Sequence, residues 1–200
     1  MRRNPERRCS QCLVHIENCF CTKLKEIKLS TKISFILPRI ERSFPSNTAN
    51  IVLNSMPNSS FFERGHQGCP VEESFLERKN YTPLYLYPSN DAEELTPELI
   101  KSIDNPIHLI IPDGTWRQAK KIYRREVNLH SVKQIKINPL SKSIYPLRRQ
   151  KFDEGLCTFE ATAEAIKLIE DESTYRLMMD NFQIFLDAHL KNRVIFEKQS

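Results

Sequence analysis

Ile107-His-Leu-Ile-Ile-Pro-Asp113-Gly-Thr-Trp116-Arg-Gln-Ala-Lys-Lys121 runs from strand to turn to helix. A nearly continuous apolar stretch stopped by Pro112 predicts a strand covered on both faces, as in a parallel sheet. Thr115 and Gln118 form a capping box, which starts a helix near Trp116. Helical spacing puts Trp116, Ala119 and Tyr123 on one face. It puts Arg117, Lys120, Lys121 and Arg124 on another. Asp113 falls at the carboxyl end of the strand, where open α/β sheets hold ligands. Asp113 and Thr115 are equally well explained as plain turn and cap residues.

The pattern continues on both sides. Lys32–Leu37, Leu84–Tyr87 and Gln134–Ile137 read as further strands, two of them stopped by proline. Ser46-Asn47-Thr48 offers caps for a helix over 49–54. The stretch 56–70 has Pro, Asn, Ser and Gly and reads as loop, and 89–95 as a capped acidic turn or helix. Phe159–Glu170 and Tyr175–Lys191 read as helices. The second lines up Met178, Phe182, Phe185, Leu186 and His189 as a core stripe. Strands alternating with helices predict an α/β fold with a mainly parallel sheet. With 200 residues, the chain can bury a core without staples. Its longest apolar runs are too short to span a bilayer, and Met1-Arg-Arg-Asn-Pro5 leads into no signal-like stretch, so a cytoplasmic protein is expected. The four glycines form neither a P-loop nor a dinucleotide fingerprint.

Charge and cysteine are both unevenly spread. Residues 117–151 hold eleven Lys or Arg against one acidic residue, between net acidic flanks. Such a segment predicts a polyanionic partner, although a solvated helix face has the same composition. Four of the six cysteines, Cys9, Cys12, Cys19 and Cys21, fall within thirteen residues. In a reducing compartment, Cys-x2-Cys followed by Cys-x-Cys suggests a closed, structural zinc site. An iron–sulfur cluster or a redox pair remains open, and His15 could replace one ligand. Arg2, Arg3, Arg7 and Arg8 precede the first ligand and could rest on phosphates. The expected division is a zinc-binding arm over 1–28 and a main domain over 29–200. Cys157 is expected to be buried and inert, and His66 to lie in a surface loop.

Asp113-Gly114-Thr115-Trp116 resembles the signature of the DTW-domain family. The likeness extends to Arg8-Cys9-x2-Cys12-x6-Cys19-x-Cys21, Ser46-Asn47-Thr48, Leu86-Tyr87-Pro88, Tyr145-Pro-Leu-Arg148-Arg149 and Thr158-Phe-Glu160-Ala161, in the family's order. Ala49 departs from the family's usual glycine after Ser-Asn-Thr. The resemblance implies a tRNA-uridine aminocarboxypropyltransferase, which moves the 3-amino-3-carboxypropyl group of S-adenosylmethionine to uridine N3 and releases methylthioadenosine. It also implies a SPOUT-like fold with a carboxyl-terminal knot.

On that reading, Asp113 is the candidate general base, with Glu160 as runner-up. Thr115 orients Asp113 or touches the cofactor, and Trp116 either stacks on a base or belongs to the core. Pro88, Asp113, Gly114, Thr115, Leu140, Tyr145 and Arg148 are the implied cofactor contacts. Arg148 takes either the cofactor carboxylate or a phosphate. Lys120, Lys121, Arg124 and Arg125 are candidates for the tRNA backbone. The competing expectations are a methyltransferase of the same fold and a non-catalytic, zinc-containing RNA-binding protein. No membrane or obligatory protein partner is expected.

Overall fold

The computed structural model describes residues 7–64, 70–138, 143–145 and 155–197. Among them, six strands form one sheet: β1 (Lys32–Pro38), β2 (Ser59–Arg64), β3 (Thr82–Leu86), β4 (Glu93–Glu94), β5 (Ile107–Pro112) and β6 (Lys133–Lys136). Their order is β2-β1-β5-β3-β6-β4, and every neighbouring pair is parallel. The helices are α1 (Arg39–Arg42), α2 (Ala49–Ser55), α3 (Pro97–Lys101), α4 (Trp116–Arg125), α5 (Thr158–Ile169) and α6 (Glu172–Glu197). No described helix is long and apolar enough to cross a membrane.

The apolar strands are covered on both sides, as their composition predicts. Phe35, Leu37, Leu84, Leu86, Leu109 and Ile111 join one core with α2, α3, α5 and α6. The alternate residues Ile36, Tyr85 and Ile110 join a second core with Ile122 of α4. The period-two alternation thus feeds two separate cores. The expected stripe on α6 is buried throughout. Phe182 stacks on Phe159 with ring centroids 4.9 Å apart.

The cysteine arm rests on this first core. Val14 and Phe20 are buried in it, and the Phe20 ring meets Phe185 edge-on at 5.6 Å. Asn181 of α6 pairs with both the backbone N–H and C=O of Lys25, each at 2.9 Å.

Several boundaries differ from the sequence reading. Residues 59–64, expected as loop, form β2. It is an edge strand with half-exposed side chains, so it carries little apolar signal. The segment 89–95, expected as an acidic turn or helix, contains the turn and adds the two-residue β4. α3 was not expected, although Thr96 caps Leu99 and Pro97 takes the first turn. α5 includes Thr158, and Cys157 is its cap. A carboxyl-terminal knot depends on the chain path after β6, and residues 139–142 and 146–154 lie outside the described residues.

His108 is fully buried in β5. Its Nδ1–H donates to Leu76 O at 3.2 Å, and its Nε2 accepts from Ser34 Oγ at 2.7 Å. Ser34 has then spent its proton, so Ser60 donates to it, at 2.8 Å. Burial chiefly holds the imidazole neutral, and its pKa falls to about 4. Between that value and the ordinary 6.5, the unfolded chain binds a proton that the folded chain refuses. The His108 contribution is therefore intact above pH 6.5 and lost as pH falls toward 4, at about 1.4 kcal/mol per pH unit. Urea titrations of wild type and His108→Asn from pH 7 to 4.5 are expected to show this slope in wild type only. Equal slopes would exclude the mechanism.

Candidate active site and metal centre

Asp113 follows β5 and extends the ladder, its N–H donating to Ile36 O of β1 at 2.9 Å. From β1 the chain turns outward to β2. From β5 it passes β3 to reach β6. The β1/β5 boundary is therefore a topological switch point, where a crevice opens at the carboxyl ends of the strands. Gly114 makes the turn with φ +138°, a conformation that side-chain-bearing residues avoid. A Cβ there would also lie 2.9 Å from Gln118 Oε1. The capping box is complete: Gln118 Oε1 accepts from Thr115 N–H at 2.6 Å, and Thr115 Oγ1 accepts from Gln118 N–H at 3.3 Å.

Asp113 is only 2% exposed, and both of its oxygens accept hydrogen bonds. Asn47 Nδ2 donates to Oδ2 at 2.6 Å and Thr158 Oγ1 to Oδ1 at 2.5 Å. Those two donors stand 66 and 45 residues away in sequence. Asn47 turns its Oδ1 to Ala49 N at 2.9 Å, so it caps α2 while it holds Asp113. Thr48 Oγ1 accepts from Phe159 N at 3.2 Å.

A second carboxylate completes the circuit. Glu160, 5% exposed, accepts from Cys157 N at 2.8 Å, Ser143 Oγ at 2.6 Å and Ile144 N at 2.7 Å. Next to these, Tyr145 OH donates to Ser46 O at 2.8 Å. The segments 46–48, 113–116, 143–145 and 157–160 are thereby tied into one closed ring of hydrogen bonds. Glu160 spends its acceptors on that ring, which fits a clamp better than a proton acceptor. Tyr145 is buried with its ring 6.0 Å from Phe182, in the core rather than at an open surface. Cys157 is buried, and that burial pushes its thiol well above the usual range.

The outer rim is aromatic and basic. Trp116 is 52% exposed, so it is not a core residue, and its ring lies 6.2 Å from that of Tyr87. Pro88 and Thr115 are exposed beyond the carboxyl ends of the neighbouring strands β3 and β5. Arg117, Lys120, Lys121, Arg124 and Arg125 are all exposed, and none pairs with a carboxylate among the described residues. Glu126, the one acid of this basic segment, is fully buried. It pairs with Arg64 and accepts from Val71 N at 2.7 Å, so it leaves the surface charge of α4 undiminished. Leu140, Arg148, His66 and Cys69 lie outside the described residues. The sequence offers Asn47 only as a helix cap and gives Thr158 no role beyond its place in a motif. No local spacing links them to Asp113, and only their place in family-like motifs marks them out.

The four cysteines converge. Cys9 and Cys21 sulfurs are 3.8 Å apart, Cys12 and Cys19 sulfurs 3.9 Å, and all four lie within 4.8 Å of one another. A metal–sulfur bond of about 2.3 Å makes a tetrahedral edge of about 3.8 Å, so the donor set fits a four-coordinate metal. His15 is not in the cluster. Its Nδ1 accepts from Glu17 N–H at 3.4 Å. Burial opposes ionisation of Cys9, but N–H groups of Cys12 and Gln11 outweigh it and bring the thiol to about 7. Burial raises Cys12 and Cys21.

Comparison with known proteins agrees in outline. The DTW domain profile matches residues 6–190. A protein of Macaca fascicularis named tRNA-uridine aminocarboxypropyltransferase 2 is 29% identical over 175 residues, covering 84% of this chain and 58% of that protein. Its Drosophila melanogaster namesake is 27% identical over 180 residues, covering 86% and 70%. The SAM-dependent rRNA:acp-transferase Tsr3 from Vulcanisaeta distributa has a similar fold. Its TM-score is 0.52 at 18% identity, covering 84% of this chain and 82% of that one.

Removing Glu160 strands three donors at once. Glu160→Ala is expected to cost about 3 kcal/mol or more in urea denaturation, and Glu160→Gln, which keeps one acceptor oxygen, clearly less. Equal losses in the two variants would contradict the clamp.

Proposed function

The chain belongs to the DTW-domain family, and from that membership and its site we propose that it is a tRNA-uridine aminocarboxypropyltransferase using S-adenosylmethionine. The observation that carries this reading is the closed ring of hydrogen bonds that ties segments 46–48, 157–160 and 143–145 to the Asp113 turn at the sheet's switch point. A carboxylate held from two sides beside a half-exposed tryptophan and an unpaired basic helix suits reaction on a base within a polyanion.

S-adenosylmethionine supplies an electrophilic carbon beside its sulfonium. The new bond runs from uridine N3 to that carbon as the carbon–sulfur bond breaks. Sulfur keeps the electron pair and leaves in methylthioadenosine. Asp113 takes the N3 proton. Each of its oxygens accepts one hydrogen bond and retains a second lone pair, and Asn47 and Thr158 fix its direction. Burial of Asp113 restricts that role to a base inserted against the Gly114–Thr115 turn. Trp116, with Tyr87 beside it, offers a ring surface on which a base can stack. Pro88, Gly114, Thr115, Leu140 and Arg148 are the proposed donor-substrate contacts, and Tyr145 holds its segment in place. The exposed cations of α4 take phosphates, which position the RNA without reading its sequence. Correct aim of N3 at one of three carbons on sulfur is a positioning problem, and positioning supplies much of the rate.

We further assign zinc to the four thiolates. They fill all four positions, so the metal holds the arm and takes no part in bond making. Free thiols at this spacing suit a reducing, cytoplasmic setting. The knot of SPOUT-like folds belongs to the same proposal.

Product analysis tests the reaction. With S-adenosylmethionine and unmodified tRNA, methylthioadenosine is expected, and only when tRNA is present. S-adenosylhomocysteine would instead indicate methyl transfer, and no turnover a binding protein. Asp113→Asn is expected to lower kcat about 10²–10⁴-fold with tRNA affinity little changed. A misfolded variant by circular dichroism would reassign Asp113 to structure alone. For the arm, elemental analysis is expected to find one zinc per chain, and stripping it to lower the melting temperature. Iron with acid-labile sulfide would overturn the zinc assignment.

A further inference from the structure

A cleft of about 470 Å³ separates the metal-binding arm from the sheet's outer edge, and nothing in the reaction uses it. It is lined by Ser10 and Gln11 of the arm, Leu53 and Asn54 of α2, Ser59, Ser60 and Phe61 of β2, and Arg42 at the end of α1. Among the described residues, no carboxylate lines it. The Arg42 guanidinium lies 4.1 Å from the centroid of the Phe61 ring, which is itself 39% exposed. Its Nη1 donates to Asn50 Oδ1 at 3.0 Å, and among the described residues no acid pairs with it. A guanidinium has five N–H donors, so four are left without a protein partner among the described residues. A smaller hollow of about 300 Å³ shares Leu53, Asn54 and Ser59 with it and is also lined by Glu26.

We propose that this cleft binds one unstacked nucleotide of RNA, with its phosphate at Arg42 and its base among the amides and hydroxyls of Gln11, Asn54 and Ser10. The chemistry fits on three counts. Guanidinium planes stack on bases and clamp phosphates bidentately. Side-chain amides match the donor and acceptor edges of an exposed base. The cleft is open at an edge strand, so an extended backbone can pass along it. β2 lies two strands from β5, about 10 Å across the sheet from Asp113. The cleft is thus a second RNA contact, apart from the reacting base and from α4.

The proposal rests on RNA being the partner but not on the reaction. Arg42→Gln and Ser10→Glu are made separately, and metal content and melting temperature check that each folds. Anisotropy then measures binding of unmodified tRNA and of a single-stranded oligouridylate at several salt concentrations. Calorimetry measures S-adenosylmethionine binding. Both variants are expected to weaken RNA binding about tenfold and Arg42→Gln to flatten the salt slope by about one, with S-adenosylmethionine affinity unchanged. Arg42→Lys should restore the slope but not the full affinity, since it keeps charge without the planar fork. Unchanged RNA affinity in both variants overturns the site, even if methylthioadenosine is formed. Weakened RNA binding without any turnover keeps the site and removes the reaction. Loss of polyglutamate binding with RNA binding intact would assign the cleft to a protein and overturn it equally.

Discussion

The Asp113 carboxylate is the joint on which this architecture turns. An ionised group in an almost fully buried position costs several kcal/mol unless donors surround it. Here those donors, Asn47 and Thr158, come from the loop between α1 and α2 and from the start of α5. The carboxylate therefore cannot be satisfied until three separate parts of the chain are in place. The same contacts that make its burial tolerable also fix the shape of the crevice at the sheet's switch point. Glu160 repeats the device one turn away, binding the 143–145 segment and the cap of α5. Two buried carboxylates thus do by hydrogen bonding what apolar packing cannot do for a polar site: they hold several backbone segments in one arrangement.

Charge on the outer surface follows the same economy of placement. The basic helix α4 buries Ala119 and Ile122 and turns every cation outward. The acidic residue that follows it, Glu126, is drawn inward to hold Arg64 and Val71. A surface Glu at that position would have lowered the local field and weakened any steering of a polyanion. Buried and paired, it ends the helix and leaves the field alone.

The sequence was most legible where structure is local. The capping box at Thr115 and Gln118, the two-sided strand β5 and the α6 stripe each follow from residues within a few positions of one another, and each appears as expected. The grouping of four cysteines was equally readable, because metal chemistry leaves few alternatives at that spacing. β2 was not readable. An edge strand half exposed on both sides, Ser59-Ser-Phe-Phe-Glu-Arg64, has neither alternation nor an apolar run. The partners of Asp113 were also hidden, since a contact across 66 residues depends on the strand order and on nothing in its neighbourhood. Trp116 could not be assigned to core or surface by periodicity alone. Its half exposure follows from its place at the first turn of α4, beyond the sheet edge.

The strand order also constrains how the chain is made. β5 sits between β1 and β3, pairing Phe35 with Ile111 and Leu84 with Leu109. Until β5 leaves the ribosome, β1 and β3 share no neighbour, and both present unpaired backbone with apolar faces on either side. The arm waits longer still, because Phe20 and Lys25 find their partners only when α6 has been synthesised. Such long-range pairings slow folding and expose sticky intermediates. The growing polypeptide therefore passes through a stage in which unpaired strand edges and apolar faces are exposed together.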